Sequence, residues 1–308
     1  MTMSKVAKLH DDEVEIDEPL VARLLAEQFP QWADAPIEVV TSSGTDHIAF
    51  RVGTDLVARL PRTERMRGQT EKDLTWLPRL APHLPLAIPE PLALGVPGAG
   101  YPCTWGVYRW LDGETYDVDR LTDPSAAAHQ LAEFIHRLQS VDATGAPLPP
   151  AGDPFSRGTP LAPRDPLFRK ALGQLADELD TERVLAAWKI ALAADTYSGP
   201  PVWMHGDLMP GNVLVANGNL SAVIDFGTAR AADPAADLLA AWWLFEGDSR
   251  QAFREAMEVD QTTWIRARGW LLSLRIIAIP YYRDRRPNPT PGEYPFITEL
   301  LTEFEMEC

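Results

Sequence analysis

The hydrophobic pattern has helical spacing over residues 19–29, where Leu20, Leu24, Leu25 and Phe29 share a face. The period then switches to two. Residues 37–41 and 49–52 read as strands on either side of Ser42-Ser43-Gly44-Thr45-Asp46, and a third strand, 56–60, follows the Gly53-Thr54-Asp55 turn. Residues 69–80 predict a helix, the proline-broken stretch 81–102 predicts extended segments and turns, and 104–110 predict another strand. After Asp112-Gly113 the pattern turns helical. Residues 123–141 place Leu131, Phe134, Ile135 and Leu138 on one side, and 165–194, 231–257 and 262–279 predict further helices. A proline-rich loop, 146–166, and a short β segment, 201–226, lie between them. The pattern predicts an α+β chain with a β-rich N-lobe over 1–110 and a mostly helical C-lobe over 111–308.

Composition narrows the function. The 308 residues are 45% hydrophobic and 23% charged, which is ordinary for a globular chain of one large domain or two lobes. The net charge of −16 argues against nucleic acid and anionic membranes as partners. Cys103 and Cys308 are too few for a disulfide framework or a cysteine-rich zinc site, and they fit a reducing compartment. The charged first eighteen residues have no apolar signal region, and no apolar run approaches a membrane span, so a cytoplasmic protein is expected.

The chemistry concentrates in 202–227. Asn217-Gly218 is a hairpin signal between two apolar, β-branched runs. An antiparallel hairpin brings its open ends together, so Asp207, Asn212 and Asp225 are expected to converge. Two carboxylates and an amide oxygen are hard ligands that suit Mg²⁺, an ion that keeps waters and substrate phosphates. His205-Gly206-Asp207, followed by four residues and then Asn212, resembles the kinase catalytic loop, and Asp225-Phe226-Gly227 resembles its metal-binding signature. Gly206, where that loop usually carries Arg, resembles the aminoglycoside phosphotransferase (antibiotic kinase) family. The segments 56–62, 76–82, 105–114 and 233–238 extend the resemblance over roughly residues 35–245.

The resemblance implies a two-lobed protein-kinase-like fold and Mg²⁺-dependent transfer of the γ-phosphate of ATP, or GTP, to a small-molecule hydroxyl. Asp207 is the implied catalytic base, and Asn212 and Asp225 the implied metal ligands. Arg59 stands where kinases place a phosphate-binding lysine, with Glu71 its expected partner and Asp73 in the same helical turn. No glycine-rich phosphate motif is present, so Ser43 and Thr45 in the first turn are the candidate phosphate contacts. Leu111 and its neighbours would bind the base through backbone groups. His205 is expected to support the loop, and Asp237 either to cap its helix or to hold that loop.

An aminoglycoside is the leading acceptor, partly because the C-lobe carries 17 basic against 29 acidic residues, a field that attracts a polycation. Glu299, Glu303, Glu305 and Glu307 are read either as part of that field or, preferably, as a solvated helix face. A macrolide or a metabolite acceptor is the alternative on the same scaffold. Arg59 and the degenerate phosphate loop keep a catalytically silent nucleotide-binding module in view.

Overall fold

The computed structural model describes residues 14–40, 46–64, 68–283 and 293–306. In chain order the strands are β1 (Ile37–Val39), β2 (His47–Val52), β3 (Leu56–Pro61), β4 (Pro91–Gly95), β5 (Trp105–Arg109), β6 (Glu114–Thr115), β7 (Val202–Met204), β8 (Val213–Ala216), β9 (Asn219–Val223) and β10 (Arg230–Ala232). The helices are α1 (Glu18–Gln28), α2 (Gln69–Leu80), α3 (Pro124–Gln139), α4 (Asp165–Gly173), α5 (Thr181–Ala193), α6 (Ala240–Leu244), α7 (Gly247–Met257), α8 (Gln261–Arg283) and α9 (Glu293–Met306).

The described residues fall into two compact units, one from 1–123 with 209–227, the other from 124–208 with 228–308. The first unit therefore runs past residue 110 and takes in the β8–β9 hairpin. The reason is pairing: Glu114 and Thr115 of β6 sit opposite Val215 and Leu214 of β8. Asn217 and Gly218 both have positive φ, 52° and 79°, as a two-residue hairpin turn requires. A side chain at Gly218 would meet Thr122 Oγ1 at 2.0 Å, while the Thr122 N–H donates to the Gly218 carbonyl.

The main sheet of this unit has strand order β1-β2-β3-β5-β4, every pair antiparallel. Alternation in β2 buries Ile48, Phe50 and Val52, which pack with Leu20, Val21, Leu24 and Leu25 of α1 in one apolar core. Asp17 caps α1 by accepting from the Leu20 N–H at 2.8 Å.

The second unit is helical around a two-stranded ribbon, β7 paired antiparallel with β10. Leu131, Phe134, Ile135 and Leu138 of α3 are buried as the period predicts, and α3 packs on α7. Two expected helices are broken. The single helix expected over 165–194 is two, because Asp180 caps α5 by accepting from the Arg183 N–H at 3.0 Å. The helix expected over 231–257 is a strand (β10), a 3-10 turn (Pro234–Leu239), α6 and α7. Asp233-Pro234 starts the turn, with Asp233 accepting from the Ala235 N–H, and a Glu246/Ser249 capping box starts α7. Trp242 is buried and its neighbour Trp243 half-buried.

Of the acidic C-terminal residues, Glu299 and Glu305 are more than half exposed, as a solvated helix face requires, and Glu303 is half-buried; each is also ion-paired. Glu299 and Glu303 pair with Arg250, and Glu305 pairs with Arg183; Glu307 lies outside the described residues. Among the described residues no helix is long and apolar enough to cross a membrane.

Candidate active site

In the first unit the ends of the β8–β9 hairpin meet as the turn predicts. The Ile224 N–H donates to the Asn212 carbonyl at 2.8 Å, which sets Asn212 beside Asp225. Asn212 is buried, and the Asp225 side chain is about one-third exposed. Asp225 holds φ at 64°, in the left-handed region that favours glycine, a strained backbone of the kind that clusters at functional sites. A Cβ at Gly227 would lie 3.3 Å from Asp225 Oδ1, so glycine leaves that carboxylate its room.

Arg59, on β3, donates from Nη2 to Asp225 Oδ1 at 2.9 Å, and its guanidinium lies over the Tyr108 ring. Burial pulls the guanidinium pKa down, but Asp225, Tyr108 and Asp73 hold it above its usual value, so it stays charged. The expected Arg59–Glu71 pair is corrected here. Glu71 instead accepts from Thr104 Oγ1 at 3.3 Å. Two positions along α2, Asp73 is the buried carboxylate, accepting from Tyr108 Oη at 2.8 Å and Gln69 Nε2 at 2.6 Å. Residues two apart point to different sides of a helix, so only one of them can face the sheet. Burial raises the Asp73 pKa against the opposing effect of Arg59.

Lys72 was invisible to sequence reasoning. Its Nζ donates to the carbonyls of Phe226 at 3.2 Å and Gly227 at 2.9 Å, tying α2 to the Asp225 loop. Its only sequence signal was its place between Glu71 and Asp73. His47 is held neutral, its pKa pushed down to about 3 by burial and then by Arg59. Leu111 lies half-buried between β5 and β6. Ser43 and Thr45 lie outside the described residues.

Asp207 belongs to the second unit, just past β7. The loop that carries it is held by Asp237, which is fully buried and accepts from the His205 N–H at 2.8 Å and the Gly206 N–H at 2.6 Å. Asp237 thus holds the loop, and Asp233 does the capping. Burial raises the Asp237 pKa, opposed by His205 and the two N–H donors. Gly206 has φ 79°, and a Cβ there would sit 3.1 Å from Met204 Cε and 3.2 Å from Thr228 Oγ1, so any side chain here is strained and crowded, which favours glycine over the arginine of the kinase loop. His205 is buried; its Nδ1 accepts from the Asp207 N–H at 3.2 Å, and its carbonyl accepts from Thr228 Oγ1 at 2.6 Å. It is a support for the loop.

The Asp207 side chain is about one-quarter exposed and pairs with Arg157, whose Nη1 also donates to the Gly206 carbonyl. Arg157 lies in the proline-rich loop expected over 146–166. Nothing in the local pattern separates this arginine from a solvated one.

A model of the phosphotransferase enzyme family matches residues 39–270. No curated protein sequence matches the chain. Among solved structures, the GDP complex of wild-type aminoglycoside 2'-phosphotransferase-IIIa superposes with a TM-score of 0.69 at 21% identity, covering 95% of this chain and 99% of that one. The GDP and kanamycin complex of APH(2")-IIia gives 0.66 at 21%, over 93% and 97%. The macrolide 2'-phosphotransferase MphH from Brachybacterium faecium, as apoenzyme, gives 0.59 at 20%, over 92% and 96%. At these identities the likeness shows the fold, the α+β kinase-like fold expected from the sequence.

Proposed function

The chain belongs to the phosphotransferase enzyme family, and from that premise we propose that it moves the γ-phosphoryl group of ATP or GTP to a hydroxyl of a small molecule. The observation that carries this reading is the build of the Asp207 loop. A partly exposed carboxylate is presented by a backbone that Asp237, His205 and Thr228 fasten from behind. A fixed, solvent-reachable carboxylate suits one task, which is to receive the hydrogen of an acceptor hydroxyl and align its oxygen for in-line attack. A loose transition state makes little early demand on the strength of that base.

Asn212 and Asp225 suit Mg²⁺, being hard oxygen donors adjacent to each other in a strained, glycine-cleared loop. Bound there, the ion would neutralise charge on the nucleotide phosphates. Arg59, kept charged in part by Asp73, orients the Asp225 carboxylate, and Lys72 pins the backbone after it. Leu111 offers backbone groups to the base, and Ser43 and Thr45 offer hydroxyls to phosphate. The intact Asp207, Asn212 and Asp225 weigh against a silent nucleotide-binding module.

An aminoglycoside is the leading acceptor, since the solved relatives include a kanamycin complex. A second reading, a bulkier and less polar acceptor such as a macrolide, is favoured by one observation. The loop that carries Arg157 also exposes Leu148 at 64% and Phe155 at 70%, large apolar side chains left in water. A screen with γ-labelled ATP and GTP against aminoglycosides, macrolides and cyclic-peptide antibiotics tests the reading. Transfer to a cationic acceptor with a KM that rises with salt supports the first acceptor class. Selective turnover of a macrolide supports the second, and no transfer from either nucleotide to any acceptor defeats both.

A further inference from the structure

We propose that Arg157 is a catalytic cation of this enzyme, binding the oxygens of the phosphoryl group as it passes to the acceptor. The proposal rests on the reading of Asp207 as the residue that receives the acceptor hydroxyl. If Asp207 holds that hydroxyl, the phosphorus under attack lies one oxygen further on, and a guanidinium touching Asp207 is within reach of the equatorial oxygens.

Three observations single out Arg157. The first is its hydrogen bonding. Nη1 alone makes both contacts, to Asp207 Oδ1 and to the Gly206 carbonyl. Nε and Nη2 make no hydrogen bond to any described residue. A guanidinium has five N–H donors in a planar fork, so one edge can stay on Asp207 while the other takes an oxyanion. The side chain is 22% exposed, so a ligand can reach it.

The second is that its position is built. Residues 156–159 are fastened on several sides: the Gly158 carbonyl accepts from the Asp233 N–H at 3.2 Å, the Thr159 carbonyl from Trp270 Nε1 at 3.0 Å, and Ser156 Oγ from Arg230 Nη1 at 2.9 Å. Gly158 has φ 78°, and a Cβ there would lie 2.6 Å from Ala232 Cβ. A cation on so fixed a stalk needs no reorganisation when charge develops.

The third is a cluster of arginines in a strongly acidic chain, set among the carboxylates of Asp153, Asp207 and Asp237. Arg164 and Arg230 lie nearby. Arg230 is already engaged with Thr228 and Ser156, and Arg164 with Ser273 and the Pro154 carbonyl. Burial and then the charge of Arg157 push the Arg164 pKa down to about 10, a mark of cations crowded together. The loop 205–212 itself contains no Lys or Arg. Among the described residues of the second unit, Arg157 is thus a cation in contact with Asp207 that has donors to spare.

The test uses the full chain with Mg-ATP and no acceptor, water taking the phosphoryl group, together with Mg-ADP binding with and without fluoroaluminate as a mimic of the group in flight. Arg157→Gln is expected to lower hydrolysis by about 100–1,000-fold while Mg-ADP affinity stays within about twofold. The tightening of Mg-ADP by fluoroaluminate should disappear. Arg157→Lys, which keeps the charge, should recover about tenfold. Unchanged fluoroaluminate tightening in Arg157→Gln overturns the proposal. In that case a loss confined to acceptor-dependent turnover would assign Arg157 to an anionic group on the acceptor. Failure of the underlying reading is distinct: the wild-type chain then binds no Mg-ADP, and the role of Arg157 falls with it.

Discussion

Asp237→Ala removes a single carboxylate that takes two backbone N–H groups, those of Gly206 at 2.6 Å and His205 at 2.8 Å, with no exposure to water. Each hydrogen bond to a charged acceptor contributes about 1.5–3 kcal/mol, so the pair contributes about 3–6 kcal/mol. Burial raises the Asp237 pKa, so ionised Asp237 carries a desolvation cost that its removal returns in part. The net loss is therefore somewhat below that sum, about 2–4 kcal/mol, and it falls on the loop that presents Asp207. Hydrogen exchange reads this directly, because the amides of His205 and Gly206 are the two left without an acceptor. Their exchange should accelerate by about 30–1,000-fold against amides of α1, and phosphotransfer should fall with it. Asp237→Asn, which keeps one acceptor oxygen and sets an NH₂ group against the other N–H, should lose almost as much. If both amides of Asp237→Ala exchange as slowly as in wild type, Asp237 does not hold the loop and the reasoning fails.

Arg59→Ala should weaken use of the nucleotide by removing the partner of Asp225, with Arg59→Lys restoring part; steady-state KM for ATP checks this, and two wild-type-like variants would make Arg59 an ordinary strand residue. Gly158→Ala should destabilise the second unit by about 2–4 kcal/mol in urea unfolding, because φ 78° is strained for alanine and its Cβ meets Ala232 and the Met204 sulfur. His47 is depressed from 6.5 to about 3. A depressed pKa contributes stability that is complete above the unfolded value, so protein without Mg²⁺ should lose stability as pH falls from 6.5 towards 3. His47→Gln should flatten that part of the pH–stability curve, and an unchanged slope would show that His47 is not buried neutral.

Much of this was legible because its causes are local. The β8–β9 hairpin follows from Asn217-Gly218, and α2 from a periodic stretch whose observed bounds match the predicted ones. The helices expected over 165–194 and 231–257 were broken by capping carboxylates, Asp180 and Asp233, whose side chains close on their own backbone. The choice between Glu71 and Asp73 needed the rotation of α2 against the sheet, which the sequence does not carry. Lys72 and Arg157 act through carbonyls and carboxylates more than forty residues away along the chain, and no local pattern distinguishes such cations from solvated ones.

The central claim is that Asp207 receives the acceptor hydroxyl in a phosphoryl transfer. Asp207→Asn keeps the shape of the loop and one oxygen acceptor but removes the charge, and its single-turnover rate of label transfer from γ-labelled nucleotide to an acceptor that wild type phosphorylates is the direct measurement. The account predicts a loss of about 10²–10⁴-fold with Mg-ADP affinity unchanged. Transfer at the wild-type rate by Asp207→Asn would contradict it.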